Sequence, residues 1–268
     1  MKSPKLISSV SAALVTASLA LTTAGPAHAA SGDVYVALGD SYSSGVGAGA
    51  YLADSGGCHR STLAYPYQWK IQSKPAKFSF MACSGATTID VLNSQLGPLD
   101  ASTTLVSVGA GGNDAGFSDV IRTCVLNAVD SACLNRLDQA RAFANTQLPG
   151  RLDTLYDAIR QRAPKARVVV VGVPRLYTLD NGFCAGISNT KRQAINDAAD
   201  ALDTVMGGRA AAHGFKFADV RYDFANHGIC GNEAWLQNAN LSTVWESYHP
   251  TATGQLRGYL PVFTKVAR

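Results

Sequence analysis

Short apolar runs alternate with longer amphipathic stretches along most of this chain. The runs are rich in β-branched residues, as buried strands of a parallel sheet are; they cover residues 34–38, 78–82, 105–108, 167–171 and 216–220. The stretches between them have the period of helices; they cover residues 65–72, 117–127, 134–162, 190–212 and 251–266. Pro149 should split the third stretch, because proline removes a backbone donor.

Strands that alternate with helices predict a parallel sheet with helices on both faces. We therefore expect one three-layer α/β/α domain over residues 31–268, with a central sheet of about five strands. In such sheets functional groups collect at the carboxyl ends of the strands.

Residues 1–30 predict a secretory signal peptide. Two lysines precede an apolar run at residues 6–21, and Ala27-His28-Ala29 supplies a small-residue cleavage signal. A membrane anchor needs about 20 mostly apolar residues, and this run is shorter and contains several serines and threonines. We expect export to the extracellular medium, with cleavage near Ala29 or Ala30.

The charge of the chain narrows the range of partners. The formal charge is +4, and the loss of Lys2 and Lys5 with the signal peptide lowers it to +2. This small charge, without a basic cluster, argues against nucleic acid as a partner. No later segment approaches the length of a membrane span, so we expect no stable membrane insertion. We also expect a monomer.

Six cysteines follow the signal peptide, and an even number in an exported chain favours disulfides. Their spacing does not choose among the fifteen possible pairings, although pairing nearest neighbours is the simplest. No Cys-x-x-Cys or paired Cys/His spacing supports a metal site instead. The residues are Cys58, Cys83, Cys124, Cys133, Cys184 and Cys230.

Four short segments supply the residue types of acyl transfer, at residues 39–43, 84–85, 111–114 and 248–250. Ser41 would attack a carbonyl carbon and His249 would accept its proton. The backbone N–H groups of Ser41 and Gly85 and the side-chain amide of Asn113 would stabilise the oxyanion. Ser41, Gly85 and Asn113 each follow a predicted strand, so the fold brings them to one edge of the sheet.

Each segment alone has a simpler interpretation. A serine after a strand is usually a turn residue or a helix cap, and Gly85 could serve only a tight turn. The glycines before Asn113 suggest a phosphate loop, but neither the spacing nor a following Lys-Ser/Thr fits one. The Gly-x-Ser-x-Gly nucleophile elbow is absent. Asp40 is adjacent to Ser41 and is expected to order the turn.

His249 is the histidine whose surroundings favour a catalytic role. Pro250 biases the backbone before it away from helical geometry, which lets the ring face a cleft. The group that orients the imidazole has two candidates, the carboxylate of Glu246 and the backbone carbonyl of Ser247.

The ordered set of serine, glycine, asparagine and histidine resembles the SGNH (GDSL-type) hydrolase family, most nearly its secreted actinomycete-type lipases, esterases and phospholipases A1. The resemblance spans residues 33 to about 260 and implies the flavodoxin-like SGNH fold. It also implies a cofactor-free, metal-free carboxylic ester hydrolase that acts on glycerolipid esters as a lipase. A phospholipase A1 or a carbohydrate acetylesterase is the alternative.

The same resemblance implies the nearest-neighbour disulfides and a Ser-His dyad oriented by the Ser247 carbonyl. Long loops at residues 42–62, 174–188 and 221–247 are expected to line the acyl and alcohol sites. Their aromatic residues could contact an acyl chain, although simple packing is the commoner role; they are Tyr42, Tyr177, Phe183, Trp235 and Trp245.

Overall fold

The computed structural model describes Met1 and residues 32–179, 184, 186–240 and 242–268. The rest of the predicted signal peptide and Phe183 lie outside these residues. Within them, five parallel strands form one sheet in the order β2-β1-β3-β4-β5. The strands are β1 (Val34–Gly39), β2 (Lys77–Phe80), β3 (Leu105–Gly109), β4 (Arg167–Val171) and β5 (Lys216–Ala218). The predicted parallel sheet is confirmed.

Helices connect the strands and cover both faces of the sheet. The α-helices are α1 (Ser41–Ser44), α2 (Tyr65–Ser73), α3 (Thr88–Ser94), α4 (Phe117–Leu126), α5 (Asp130–Thr146), α6 (Leu148–Arg162), α7 (Asn189–Ala212) and α8 (Leu260–Val266). Ala53–Cys58 and Val244–Glu246 are 3-10 helical, and a π-helix, Gly254–Tyr259, leads into α8. Pro149 lies in the first turn of α6 and separates it from α5, as the sequence predicted.

Alternate side chains of the strands enter two apolar cores. Tyr35, Ala37, Leu105 and Val169 pack with α2 and α8 on one face. Val36, Leu38, Val106 and Val168 pack with α3, α6 and part of α7 on the other. Burial of each Val or Leu side chain contributes about 1.5–3 kcal/mol, so the two cores together fix the three-layer arrangement.

Helices α4 and α5 form a hairpin inserted between β3 and α6. The hairpin packs along α7, and the disulfide Cys124–Cys133 joins its two arms near the turn. The other disulfides are Cys58–Cys83 and Cys184–Cys230. This is the pairing that the family resemblance implied, and it uses all six cysteines.

Across residues 32–179, 184, 186–240 and 242–268, no helix has both the length and the apolar character needed to cross a bilayer.

Candidate active site

Strand β1 delivers Ser41 to the carboxyl edge of the sheet. Gly39 ends the strand at φ +133°, and a Cβ there would lie 2.6 Å from the carbonyl oxygen of Gly109, so only glycine fits. Asp40 then caps α1, since its carboxylate accepts a 3.0 Å hydrogen bond from the Tyr42 backbone N–H. Burial raises the pKa of this carboxyl to about 7. Asp40 therefore orders the turn that opens on Ser41.

His249 lies directly against Ser41. Its Nε2 is 2.8 Å from the Ser41 Oγ, and its Nδ1 is 3.0 Å from the carbonyl oxygen of Ser247. A proton on Nδ1 donates to that carbonyl, which leaves the lone pair of Nε2 to accept the proton of the hydroxyl. Between the two orienting groups that the sequence left open, the geometry favours the Ser247 carbonyl.

Backbone and tyrosine contacts hold the segment that carries His249. The Tyr42 hydroxyl donates a 2.7 Å hydrogen bond to the Tyr248 carbonyl oxygen, and the Tyr42 ring centroid lies 5.2 Å from the imidazole centroid. The Gln237 backbone donates to the His249 carbonyl and accepts from the Tyr248 N–H, at 2.8 and 2.9 Å. The sequence marked Tyr42 only as a possible acyl contact, whereas the structure places it beneath the imidazole.

The Glu246 carboxylate is engaged elsewhere. Its Oε1 accepts a 2.5 Å hydrogen bond from the Tyr51 hydroxyl, whose oxygen accepts one of 3.0 Å from the Gly47 N–H. Glu246 thus ties the segment before His249 to the loop that follows α1. This is the role of a positioning residue, because the carboxylate bonds to Tyr51 and not to the imidazole.

We expect Glu246→Gln to lower kcat only a few-fold, because the amide oxygen of glutamine can still accept from Tyr51 while the Ser247 carbonyl keeps its place. Ester hydrolysis by purified variant and parent measures the effect, with Tyr51→Phe as the matched change on the other partner. A loss near 10⁴-fold, the size seen when a triad acid is neutralised, would instead identify Glu246 as the orienting acid.

Burial lowers the pKa of His249 to about 4, against the smaller opposing effect of the hydrogen bond to the Ser247 carbonyl. Protonation removes the lone pair that accepts the serine proton, so activity falls as the pH drops through this pKa. We expect the acid limb of kcat/KM to have its midpoint near 4, well below the ordinary histidine value of about 6.5.

The measurement is kcat/KM for a soluble neutral ester from pH 3 to 8, with tryptophan fluorescence recorded at each pH to show that the protein stays folded. A midpoint near 6.5 in folded protein would show that the imidazole is more hydrated than its burial indicates.

The loops that carry Gly85 and Asn113 contact each other through one hydrogen bond. Gly85 adopts φ +78°, and a Cβ on it would meet no protein atom within 4 Å, so the left-handed backbone rather than crowding within the protein calls for glycine. The Asn113 Nδ2 donates a 3.0 Å hydrogen bond to the Ala86 carbonyl oxygen. This contact uses one of its two amide hydrogens, and Asn113 lines the same cleft as Ser41.

Asp114 anchors the asparagine loop, a function that sequence analysis missed. Its buried carboxylate accepts hydrogen bonds from the backbone N–H and the hydroxyl of Thr88, at 2.9 and 2.7 Å, and lies 3.3 Å from a guanidinium nitrogen of Arg151. The loop after β3 is thereby fixed to the start of α3 and to α6. The only signal in the sequence was the acidic residue directly after Asn113.

An apolar cleft, partly open to solvent, has Ser41 in its lining. Helices α4, α5 and α7 and the segment after β4 supply most of its wall. A cleft with so apolar a lining is suited to an alkyl chain. Its apolar lining includes Phe117, Val120, Ile121, Leu137, Ala140, Pro174, Leu176, Ile195 and Leu202.

The expected lining by long loops is therefore only partly right. Of the five aromatic residues named from those loops, Tyr42 lines the cleft. Trp235 is buried against Phe224 and His227. Trp245 is 43% exposed and stacks on His59, with 4.2 Å between ring centroids. Helices rather than loops form most of the cleft wall because the cleft lies between the α4–α5 hairpin and α7.

A serine hydroxyl bonded to a buried imidazole beside an apolar cleft is an arrangement shared by serine hydrolases. Residues 37–257 match the GDSL-like lipase/acylhydrolase family. The chain is 54% identical to Lipase 1 of Streptomyces coelicolor over 226 residues, which covers 84% of each chain.

Two solved structures share both sequence and fold with this chain. Phospholipase A1 of Streptomyces albidoflavus has 52% identity and a TM-score of 0.86, over 88% of this chain and 99% of that one. The extracellular lipase of Streptomyces rimosus has 53% identity and a TM-score of 0.85, over 87% and 99%. The chain belongs to the GDSL-like lipase/acylhydrolase family, and ester hydrolysis is its class of reaction.

Proposed function

We propose that this protein is a secreted lipase that hydrolyses acyl esters of glycerolipids, with Ser41 as nucleophile and His249 as general base. The observation that carries the proposal is the 2.8 Å contact between the Ser41 Oγ and His249 Nε2 at the mouth of the apolar cleft. The acyl chain lies in the cleft, and its ester carbonyl carbon lies at the serine.

The reaction proceeds in two steps. Ser41 Oγ attacks the carbonyl carbon as its proton passes to His249 Nε2, and the Ser247 carbonyl stabilises the imidazolium that forms. The N–H groups of Ser41 and Gly85 and the Asn113 amide donate to the oxyanion. The imidazolium then protonates the departing alcohol. Water, activated by the same imidazole, releases the fatty acid and restores the serine.

Secretion is part of the same proposal. The predicted signal peptide, three disulfides, and a relative described as an extracellular lipase support it. Mass spectrometry of the N-terminus of protein recovered from the culture medium tests it. A mature chain beginning near Ser31 is expected, and retention of residues 1–30 on a cell-bound protein would contradict it.

A substrate panel tests the activity. p-Nitrophenyl esters of increasing chain length, triacylglycerols, phospholipids and acetylated sugars are presented to the purified mature enzyme, with a fluorophosphonate probe to label the active serine. We expect labelling of Ser41 and preference for medium or long acyl chains, because most of the residues that line the cleft are apolar. Hydrolysis restricted to acetyl esters would favour the carbohydrate esterase alternative, and absence of labelling would refute the hydrolase.

A further inference from the structure

One cation breaks the apolar wall of the cleft. Arg141 lines it together with Leu137, Ala140 and Ala144, which lie four residues before, one before and three after it on α5. These spacings place the four residues on one side of the helix, and that side faces the cleft. Arg141 therefore belongs to the wall that a bound substrate would meet.

Arg141 is poorly partnered within the part of the chain that the structure describes. Its Nε is buried and has no hydrogen-bond partner there. Its ion-pair partner, Asp138, lies 3.7 Å from a terminal guanidinium nitrogen and has a side chain that is 72% exposed. An exposed pair at this distance contributes little. A buried donor without an acceptor is unfavourable. The side chain of Arg141 as a whole remains 33% exposed.

A neighbouring arginine shows that other guanidinium groups on this helix do have close partners. Arg136, on the same helix, donates to Asp119 at 2.7 Å and to the carbonyls of Ala115 and Gly116 at 3.2 and 3.4 Å. Those contacts join α5 to α4 and to the residues just before it, so they stabilise the fold. Arg141 makes no comparable contact with the described residues, and it is the arginine among the residues that line the cleft.

The carboxyl group among the residues that line the cleft belongs to Asp40, and it caps α1. Among the described residues that line the cleft, Arg141 is the cation, and its ion-pair partner Asp138 is largely exposed. Guanidinium groups bind two oxygens of a phosphate in a planar fork, and they are the preferred protein ligands for such anions. A neutral triacylglycerol offers only ester oxygens at this position.

We propose that Arg141 binds the phosphate of a glycerophospholipid whose acyl ester lies at Ser41, and that it raises specificity for phosphate-bearing lipids over neutral ones. This inference rests on the proposed function, since it assigns the class of lipid that the same site prefers. The acyl chain occupies the apolar part of the cleft, and the phosphate lies against the guanidinium.

The test compares monomeric short-chain substrates, so that adsorption to a lipid surface does not enter. kcat/KM is measured for dibutyroyl phosphatidic acid, dibutyroyl phosphatidylcholine and dibutyroylglycerol with the parent enzyme, Arg141→Met and Arg141→Lys. Arg141→Met keeps an apolar stem against the wall and removes the charge. We expect its loss on both phospholipids to exceed its loss on dibutyroylglycerol by about tenfold or more, and we expect Arg141→Lys to recover part of that difference.

Asp138→Asn is the matched control on the other member of the ion pair. It should leave the phospholipid preference intact or increase it, because it frees the guanidinium. Equal losses on all three substrates in Arg141→Met, or a selective loss in Asp138→Asn, would overturn the inference and leave Arg141 a structural residue. Hydrolysis of dibutyroylglycerol by the parent tests the proposed function separately, since it does not involve a phosphate.

Inorganic phosphate distinguishes a headgroup site from a free-anion site. In the proposed arrangement the acyl chain brings the phosphate to Arg141, so millimolar phosphate should not compete with dibutyroyl phosphatidylcholine. Competition that disappears in Arg141→Met would show that the residue binds free phosphate, which would overturn the assignment to a lipid headgroup.

Discussion

Replacing His249 by alanine is expected to lower kcat for ester hydrolysis by about 10⁴-fold or more. The imidazole is the group that contacts the Ser41 hydroxyl, at 2.8 Å, and without it the serine keeps its ordinary, very weak acidity. KM should change less than kcat, because the cleft wall that binds the acyl chain does not include His249. Steady-state kinetics on a soluble ester measures both.

Covalent labelling separates loss of the base from loss of the fold. The parent enzyme should react with a fluorophosphonate, while His249→Ala and Ser41→Ala should not, and thermal unfolding should show that all three are folded. His249→Gln is the conservative companion, since its amide can still contact Ser41 but cannot carry the proton. Rapid labelling of folded His249→Ala would mean that another group activates the serine.

Asn113→Ala is expected to lower kcat by about 10²–10³-fold, the usual effect of deleting one side-chain donor to an oxyanion. The amide that this change removes also bonds to the Ala86 carbonyl and so helps to join the loops of Asn113 and Gly85. Loss of transition-state stabilisation lowers kcat and kcat/KM together and leaves KM nearly constant.

Asp114→Asn is the structural control for that experiment. It weakens the contacts with Thr88 and Arg151 that anchor the same loop but leaves the Asn113 amide in place. We expect Asp114→Asn to reduce thermal stability more than Asn113→Ala and to reduce kcat less. The assignment of Asn113 as an oxyanion donor fails if Asn113→Ala stays within a few-fold of the parent in kcat.

The sheet and the location of the site could be predicted because both are encoded in short segments. Each apolar run overlaps a strand, and Ser41 and Asn113 lie just beyond the ends of β1 and β3. The carboxyl ends of parallel strands lie at one edge of the sheet, so the residues that follow the strands lie at that edge. Their position in the fold can therefore be predicted from the local sequence. Pro149 likewise marks a helix boundary by itself, because its ring cannot continue the preceding helix.

The parts that sequence analysis missed depend on contacts between distant segments or on short elements. Helix α3 has seven residues, and its clearest signal is a capping box between Thr87 and Asp90. The cleft wall arises from the way three helices pack, which no local pattern reports. The choice between Glu246 and Ser247 depends on one turn, in which Tyr248 takes φ +66° and the carbonyl of Ser247 meets the imidazole.

The contact between Ser41 and His249 joins residues that are 208 positions apart in the chain. The ribosome therefore synthesises Ser41 and all five strands of the sheet before it adds His249. In the proposed mechanism, a chain that ends before His249 has no base to activate Ser41, whatever part of it has already folded. The order of residues thus delays the onset of the proposed activity until synthesis is nearly finished.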